Sequence, residues 1–244
     1  GSVNNIEDSA FDNCKNLDNI VLSGRDMKIG NYVFSKCENL HSVVMLGSVD
    51  NIGENAFNGC ENLCSVSIQG SVNSIKSHAF RDCKNLKSVF ILGSVTSIEN
   101  GAFANCQGLT DINISDSVTS IGEGAFANCK SLTNVSISES VTSIGESAFS
   151  NCHNLKKVSI LGPVKNIEKN AFALCKSLTT INIPDSVTSI GENAFFGCKS
   201  LITINIPSSV TSIENSAFAF CKNLATINSS LDRVNYFTNF KAVE

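Results

Sequence analysis

The chain has 244 residues, with 18 basic and 22 acidic side chains and a formal net charge of −4. Sparse charge with a slight acidic excess argues against a nucleic-acid partner, which would require a concentrated basic face. No apolar run approaches the roughly 20 residues that a transmembrane helix needs, so we expect no membrane insertion by this segment.

A 23-residue period begins with the first residues of the chain. Phenylalanine recurs at this interval ten times, each time followed three residues later by cysteine and six residues later by leucine. A fixed period of this length is typical of a solenoid, in which each repeat forms one coil. We therefore predict one repeat domain of ten coils over residues 1–229. The periodic phenylalanines are Phe11, Phe34, Phe57, Phe80, Phe103, Phe126, Phe149, Phe172, Phe195 and Phe218.

The second coil departs from the repeat near its start. Asp26 occupies the slot in which other coils place valine. Because an unpaired carboxylate is costly to bury, we predict a local shift that buries Met27 instead. This irregularity could mark a functional site, although drift near the end of a repeat array is the simpler explanation.

Ten of the eleven cysteines follow the period, so they represent one slot copied ten times. Equivalent residues of adjacent coils should lie about 4.8 Å apart, but side chains that point in parallel oppose the geometry of a disulfide. We predict free, buried thiols that act as small apolar fillers. Cys64, which directly follows Leu63, is outside the pattern and is either an exposed thiol or an incidental substitution.

Residues 118–140 represent one coil. Near the end of this coil Val135 and Ile137 alternate with polar residues, which predicts a short β-strand with one buried face. The apolar spacing over residues 123–129 predicts one or two helical turns, partly 3₁₀. Residues 118–121 are predicted to form a second, shorter extended segment.

Stacked coils should place the longer strands in one parallel sheet. A helical segment is wider than the strand spacing of about 4.8 Å, so we expect the array to curve. The predicted fold is an α/β solenoid with the sheet on the concave face and short helical or 3₁₀ turns and short extended segments on the convex side. Residues 230–244 leave the repeat and are predicted to form a C-terminal capping tail. The apolar residues expected to cover the last coil are Leu231, Val234, Tyr236, Phe237 and Phe240.

The motif L-x-x-V-x-I, followed by V-x-x-I-G-x-x-A-F-x-x-C, resembles the BspA-like leucine-rich repeats, a 23-residue class found in bacteria and in some protists. The resemblance covers residues 1–229. It implies a right-handed leucine-rich repeat horseshoe or solenoid, often on cell-surface or secreted proteins. Some relatives are adhesins that bind host matrix proteins or other cells, and the family offers no catalytic motif to transfer.

Residues that could support catalysis or bind a metal do not converge in the sequence. His41, His78 and His153 occupy different repeat slots, so a metal site would need unrelated partners. No phosphate-binding glycine loop is present, and the periodic cysteines are expected to be buried. We therefore predict a non-enzymatic protein without metal or cofactor.

The outward strand slots that differ between coils are the candidates for ligand binding. Apolar residues occupy several of these slots in the N-terminal half, whereas threonine and asparagine fill them in the C-terminal half. Exposed apolar side chains rimmed by polar ones are typical of interaction surfaces, although single exposed apolar residues are normal on any protein. The predicted concave-face binding site for a protein ligand consists of Val21, His41, Val44, Phe90, Asn113, Asn134 and Lys157.

Two other functions are weaker alternatives to protein binding. The near-identical coils and the N-terminal end, which has no evident cap, favour a structural or self-associating array. One slot that is rich in threonine suggests an ice- or crystal-binding face, but Asp50 and Lys165 interrupt it. Its threonines are Thr96, Thr119, Thr142, Thr188 and Thr211.

Overall fold

The structure, a computed structural model, describes residues 4–229, so the predicted capping tail over residues 230–244 lies outside the described residues. Twenty short strands follow one another over this range, two in each coil, and no helix occurs within it. The first strand of each coil is β1 (Asn5–Ile6), β3 (Met27–Ile29), β5 (Val49–Ile52), β7 (Val72–Ile75), β9 (Val95–Ile98), β11 (Ser120–Ile121), β13 (Ser143–Ile144), β15 (Asn166–Ile167), β17 (Ser189–Ile190) and β19 (Ser212–Ile213). The second is β2 (Asn19–Leu22), β4 (Ser42–Met45), β6 (Ser65–Ile68), β8 (Ser88–Ile91), β10 (Asp111–Ile112), β12 (Asn134–Ile137), β14 (Lys157–Ile160), β16 (Thr180–Asn182), β18 (Thr203–Ile206) and β20 (Thr226–Ser229).

Equivalent strands of neighbouring coils pair in parallel, which confirms the predicted solenoid of about ten coils. The odd-numbered strands form a seven-stranded sheet from β1 to β13 and a three-stranded sheet from β15 to β19. The even-numbered strands form a five-stranded sheet from β2 to β10, a three-stranded sheet from β12 to β16 and the pair β18 and β20. We call the surface of the even-numbered strands the long-strand face.

The core is one continuous set of side-chain rows. The periodic phenylalanine rings stack coil on coil, with centroids 5.0 to 5.6 Å apart and planes within 17° of parallel. In the sixth coil Ala125, Phe126, Cys129 and Leu132 are fully buried. Because each coil covers the apolar side of its neighbour, the core grows with length and needs no second layer.

The predicted helical turns are wrong, and with them the predicted α/β class, because alternate backbone amides of this segment bond to the next coil. In the sixth coil the N–H of Phe126 donates to the carbonyl of Ala148 at 2.8 Å, and the N–H of Asn128 donates to Ser150 at 2.8 Å. The intervening Ala127 N–H closes a turn inside the coil. In an α-helix every successive backbone N–H donates to the carbonyl four residues earlier in the same segment. This segment does not have that pattern and is a run of tight turns.

Two residues of each turn segment have a left-handed backbone, which a helix also forbids. In the sixth coil these are Gly124, with φ of 57°, and Asn128, with φ of 61°. Asparagine or glycine fills many of the equivalent positions because they tolerate this conformation. Leu174 and Phe220 adopt it as well, with φ of 60° each.

The short extended segment predicted for residues 118–121 is confirmed by β11. Curvature was expected because a helical segment is wider than a strand. The segments between the long strands are short strands and turns, so this argument for a curved array no longer applies. Curvature and right-handedness stay predictions.

The irregular second coil behaves as predicted. Met27 is buried and pairs with Val49, and the strand register shifts between Met27 and Ile29. Asp26 stays exposed with φ of 50°, and its backbone N–H donates to the Ser48 hydroxyl at 3.0 Å. The shift therefore keeps the carboxylate in solvent and fills the core with methionine.

All eleven cysteines are free, as predicted, and most of the periodic ones are buried. Their role is more specific than filling space, because each periodic thiol from Cys37 to Cys221 donates to the carbonyl of the phenylalanine one coil earlier. Cys129 Sγ lies 3.3 Å from the Phe103 carbonyl, and Cys152 Sγ lies 3.2 Å from that of Phe126. Cys64 is half-buried and donates to the Asn62 carbonyl at 3.2 Å.

Candidate protein-binding surface

Outward side chains of the long-strand face form rows that run along the solenoid axis. The strand register places Val21 opposite Val44, Val44 opposite Ser67, and Ser67 opposite Phe90. Neighbouring members of such a row lie about 4.8 Å apart. The sequence-predicted residues Val21, Val44 and Phe90 therefore share one row within the first four coils.

Two of these side chains are unusually exposed for apolar residues. Val21 is 63% and Phe90 55% exposed, whereas Val44 is half-buried. In this row Ser67, whose side chain is small, lies between Val44 and Phe90.

Leu46 and Leu92 extend this apolar surface, and the sequence analysis missed them. They are 49% and 73% exposed, and each lies two residues after Val44 or Phe90. Their amides continue the inter-coil hydrogen bonding just past the assigned strand ends, with Leu92 N donating to Ile68 O at 2.8 Å. Extending the alternation by one further outward position would have found both. We define the apolar patch as Val21, Val44, Leu46, Phe90 and Leu92.

The polar members of the predicted site are more widely dispersed. Asn113 is exposed just after β10, at the edge of the five-stranded sheet. Asn134 and Lys157 are exposed and pair with each other across β12 and β14, in the separate three-stranded sheet. The structure thus places Asn134 and Lys157 beyond the sheet that carries the apolar patch.

His41 contacts an acidic side chain, Asp18, at the equivalent position of the preceding coil. Its Nδ1 lies 2.8 Å from Asp18 Oδ1, and both side chains are more than half exposed. An exposed pair of this kind adds little stability. The pair instead supplies a polar margin at the N-terminal side of the face.

In the C-terminal half of the long-strand face, some asparagine side-chain amides form hydrogen bonds to the neighbouring coil. Asn182 donates from Nδ2 to the Ile160 carbonyl at 2.7 Å, and its Oδ1 accepts from the Ile160 N–H at 2.7 Å. Asn228 donates to the Asn205 Oδ1 at 2.7 Å. These amides bind neighbouring coils, which leaves less hydrogen-bonding capacity for a ligand.

The threonine row is likewise occupied by contacts within the chain. Thr119 Oγ1 donates to the Thr96 carbonyl at 3.2 Å, and Thr142 repeats this contact with Thr119 at 3.2 Å. Thr211 does the same with Thr188 at 3.3 Å. The hydroxyl hydrogens thus join neighbouring coils, which is a structural role for this row.

Reactive groups are few in the described part of the chain. Over residues 4–229 no cluster of three histidine, cysteine or acidic side chains could hold a metal ion. Burial raises the pKa of the Cys152 thiol to about 12, which leaves it protonated and a poor nucleophile at neutral pH. Burial, followed by the charges of Lys176 and Lys130, lowers the pKa of His153. His78 Nδ1 is buried without a hydrogen-bond partner in this range.

Among residues 4–229 there is no helix of the length and apolarity needed to cross a bilayer.

Comparisons with known proteins agree with this architecture. The family model of the BspA-type leucine-rich repeat region, in six copies, matches residues 1–110 and 96–225. A leucine-rich repeat protein from Bacteroides ovatus is 28% identical with a TM-score of 0.62, over 95% of this chain and 72% of that one. One from Eubacterium ventriosum is 26% identical with a TM-score of 0.50, over 78% and 60% of the two chains.

The leucine-rich repeat protein of T. pallidum is similar in fold alone. It is 20% identical with a TM-score of 0.54, and the likeness covers 91% of this chain and 85% of that one. No curated protein matches the chain at a significant level.

Proposed function

We propose, from the premise that this chain belongs to the BspA-type leucine-rich repeat family, that it is a non-enzymatic scaffold that binds a protein through its long-strand face. The observation that carries the proposal is the apolar patch, where Phe90 and Leu92 are 55% and 73% exposed among polar neighbours. Proteins of this family are typically scaffolds, and repeat arrays offer extended surfaces for recognition.

The patch has the composition of an interface centre. Aromatic and aliphatic anchors that become desolvated dominate the binding energy of many complexes, and a polar rim excludes water around them. Phe90 and Leu92 form one apolar ridge, and Val44 and Leu46 form another, with Ser67 between them. A partner that inserts an apolar side chain over Ser67 would contact both ridges.

The expected partner is a matrix or cell-surface protein, and the expected role is that of an adhesin-like module on the cell surface or in the secreted fraction. Family membership supports both expectations. The net charge of −4 supports a protein over a nucleic acid.

An array of matrix and cell-surface proteins, probed with the full chain, tests the proposal. We expect saturable binding to at least one protein, and competition between labelled and unlabelled chain. Equal retention on the array of a variant with Phe90→Ser and Leu92→Ser would contradict binding through this face. The matched control is Thr203→Ser with Asn205→Ser, on the polar half of the same face.

A self-associating or structural array is the second candidate. It is supported by the N-terminal end of the solenoid, where Phe11 is 44% exposed beside a cavity of about 550 Å³. Light scattering on the purified chain distinguishes the two candidates. A mass that rises with concentration favours self-association, and a constant mass of 26.0 kDa favours the binding scaffold.

A further inference from the structure

We propose that one edge of the solenoid, from the sixth to the tenth coil, binds an anionic polysaccharide through lysine side chains that form no ion pair among the described residues. We call this surface the basic edge. It runs along the solenoid between the turn segments and the long-strand face, away from the apolar patch of the first four coils. The inference therefore does not depend on the binding function proposed above. The basic edge consists of Lys130, Lys156, Lys157, Lys176, Lys199 and Lys222.

Charge is distributed unevenly along this edge. In each coil we compare the ten residues that begin one position before the periodic phenylalanine and end near the start of the long strand. In the first five coils these segments contain six acidic and five lysine or arginine side chains, whereas in the last five they contain six lysines and no acidic residue. The net charge of −4 for the whole chain conceals this concentration. The segments of the last five coils are residues 125–134, 148–157, 171–180, 194–203 and 217–226.

The position after each periodic cysteine shows the difference directly. In the N-terminal half Lys15 pairs with Glu38 at 3.0 Å and Lys84 pairs with Glu61 at 2.7 Å, so neighbouring coils neutralise each other. In the C-terminal half every lysine at this position is exposed, and within residues 4–229 none forms an ion pair. The positive charge is therefore available to a ligand. This row consists of Lys130, His153, Lys176, Lys199 and Lys222.

Backbone hydrogen bonds hold successive members of this row in register. The N–H of Asn154 donates to the Lys130 carbonyl at 3.2 Å, and the N–H of Ser177 donates to the His153 carbonyl at 3.1 Å. Neighbouring positions of the row are thus about 4.8 Å apart, and its two ends are about 19 Å apart. A sugar unit of a linear polysaccharide has a similar length. A chain laid along the row would therefore place nearly every sugar unit beside a basic residue.

The residues beside the row offer hydrogen bonds in addition to charge. Each position that follows a member of the row is serine or asparagine, and within residues 4–229 none of these side chains forms a hydrogen bond. The threonine row and Asn182 differ, because their side chains bind neighbouring coils. Free hydroxyl and amide groups can both donate to and accept from sugar hydroxyls. These residues are Ser131, Asn154, Ser177, Ser200 and Asn223.

His153 supports a positive potential along the row. Burial is the first cause of its lowered pKa, and the charges of Lys176 and Lys130 in the coils on either side lower it further. Its own coil adds Lys156 and Lys157. An anionic ligand over the row would favour the protonated imidazole and raise the pKa of His153. Binding should therefore tighten as the pH falls through this pKa.

Binding of dextran sulfate to the full chain, with uncharged dextran as the ligand control, tests the proposal. The test variant should bind dextran sulfate on the order of 20-fold more weakly, as the loss of three exposed charge pairs allows. The control variant loses the same charge and should bind as the parent does. The test variant carries Lys130→Gln, Lys156→Gln and Lys176→Gln. The control carries Lys15→Gln, Lys84→Gln and Lys87→Gln, at equivalent positions of the N-terminal half.

Two further variants locate the binding. His153→Gln should flatten the pH dependence of dextran sulfate binding. The variant with Phe90→Ser and Leu92→Ser should bind dextran sulfate as the parent does, which separates this inference from the function proposed above. Loss of dextran sulfate binding in that variant would contradict a separate basic edge.

Three other results would overturn the proposal. The first is equal binding to dextran and dextran sulfate, and the second is an equal loss in the two triple-lysine variants. The third is tighter binding of polyglutamate, of a single-stranded oligonucleotide or of phosphatidylserine vesicles through the same lysines. Vesicles are included because Ile202 and Phe220 are 56% and 57% exposed close to Lys199 and Lys222 in sequence.

Discussion

Replacing Phe126 with alanine tests how the stacked core distributes stability along the chain. The ring is fully buried and stacks on Phe103 at 5.4 Å and on Phe149 at 5.2 Å. Its loss leaves a cavity and removes two ring contacts, which should lower the free energy of unfolding by about 4 kcal/mol. In the first coil Phe11 has one stacked neighbour and is 44% exposed, so Phe11→Ala should cost only about 2 kcal/mol.

Urea unfolding followed by circular dichroism measures both variants. Because coils contact only their neighbours, a weakened interface in the middle should divide the transition into two steps, whereas the change at the end should shift a single step. Hydrogen exchange would then show lower protection in the coils around Phe126. Equal losses in the two variants, or one unshifted transition for Phe126→Ala, would refute the packing account.

Three further predictions concern the thiols and the turn backbone. Burial raises the pKa of Cys37 to about 11 and that of Cys152 to about 12, from an ordinary value of 9.0. The protonated thiols therefore stabilise the fold fully below pH 9, and this contribution is lost as pH rises through the folded-state values. The urea midpoint should fall more steeply over that range in the parent than in Cys37→Ala/Cys152→Ala, and equal slopes would contradict the assignment. Gly70→Ala should destabilise the chain by about 3 kcal/mol, because its Cβ would lie 2.0 Å from the Gly47 carbonyl oxygen. Gly124→Asn, at a φ of 57° where a new Cβ would meet only the Ala127 Cβ at an ordinary contact distance of 3.8 Å, should change stability by less than about 0.5 kcal/mol, because asparagine tolerates the left-handed region. Equal melting temperatures for Gly70→Ala and Gly124→Asn would contradict this reasoning. Lys36→Asn should stabilise the chain by about 1 kcal/mol, because Lys36 is exposed with φ of 55°; a lower melting temperature would show that its left-handed backbone is not strained.

The solenoid was predictable because the same core residues, phenylalanine, cysteine and leucine, recur at the same positions of all ten coils. Even the exception was predictable, since the cost of burying Asp26 pointed to Met27 as its replacement in the core. The turn segment was not, because its apolar spacing fits one helical turn equally well. Only the neighbouring coil, which binds the N–H of Phe126 and of Asn128, decides against a helix.

The candidate site was predictable in part. Alternation along the strands identified Val21 and Phe90, and the structure places them in one row. Leu46 and Leu92 were missed because the strand was assumed to end at the last inward residue. The use of the Asn182 amide in binding the Ile160 backbone could not be inferred from a single outward slot.

The measurement that tests the central claim most directly is the affinity of the identified protein partner for Phe90→Ala compared with Asn205→Ala. Both residues occupy the same outward slot of the long-strand face, one in the apolar patch and one in the polar half. The account predicts that Phe90→Ala weakens binding on the order of 30-fold, as expected for loss of a central anchor, with Asn205→Ala nearly unchanged. Unchanged affinity for Phe90→Ala, or a larger loss for Asn205→Ala, would contradict it.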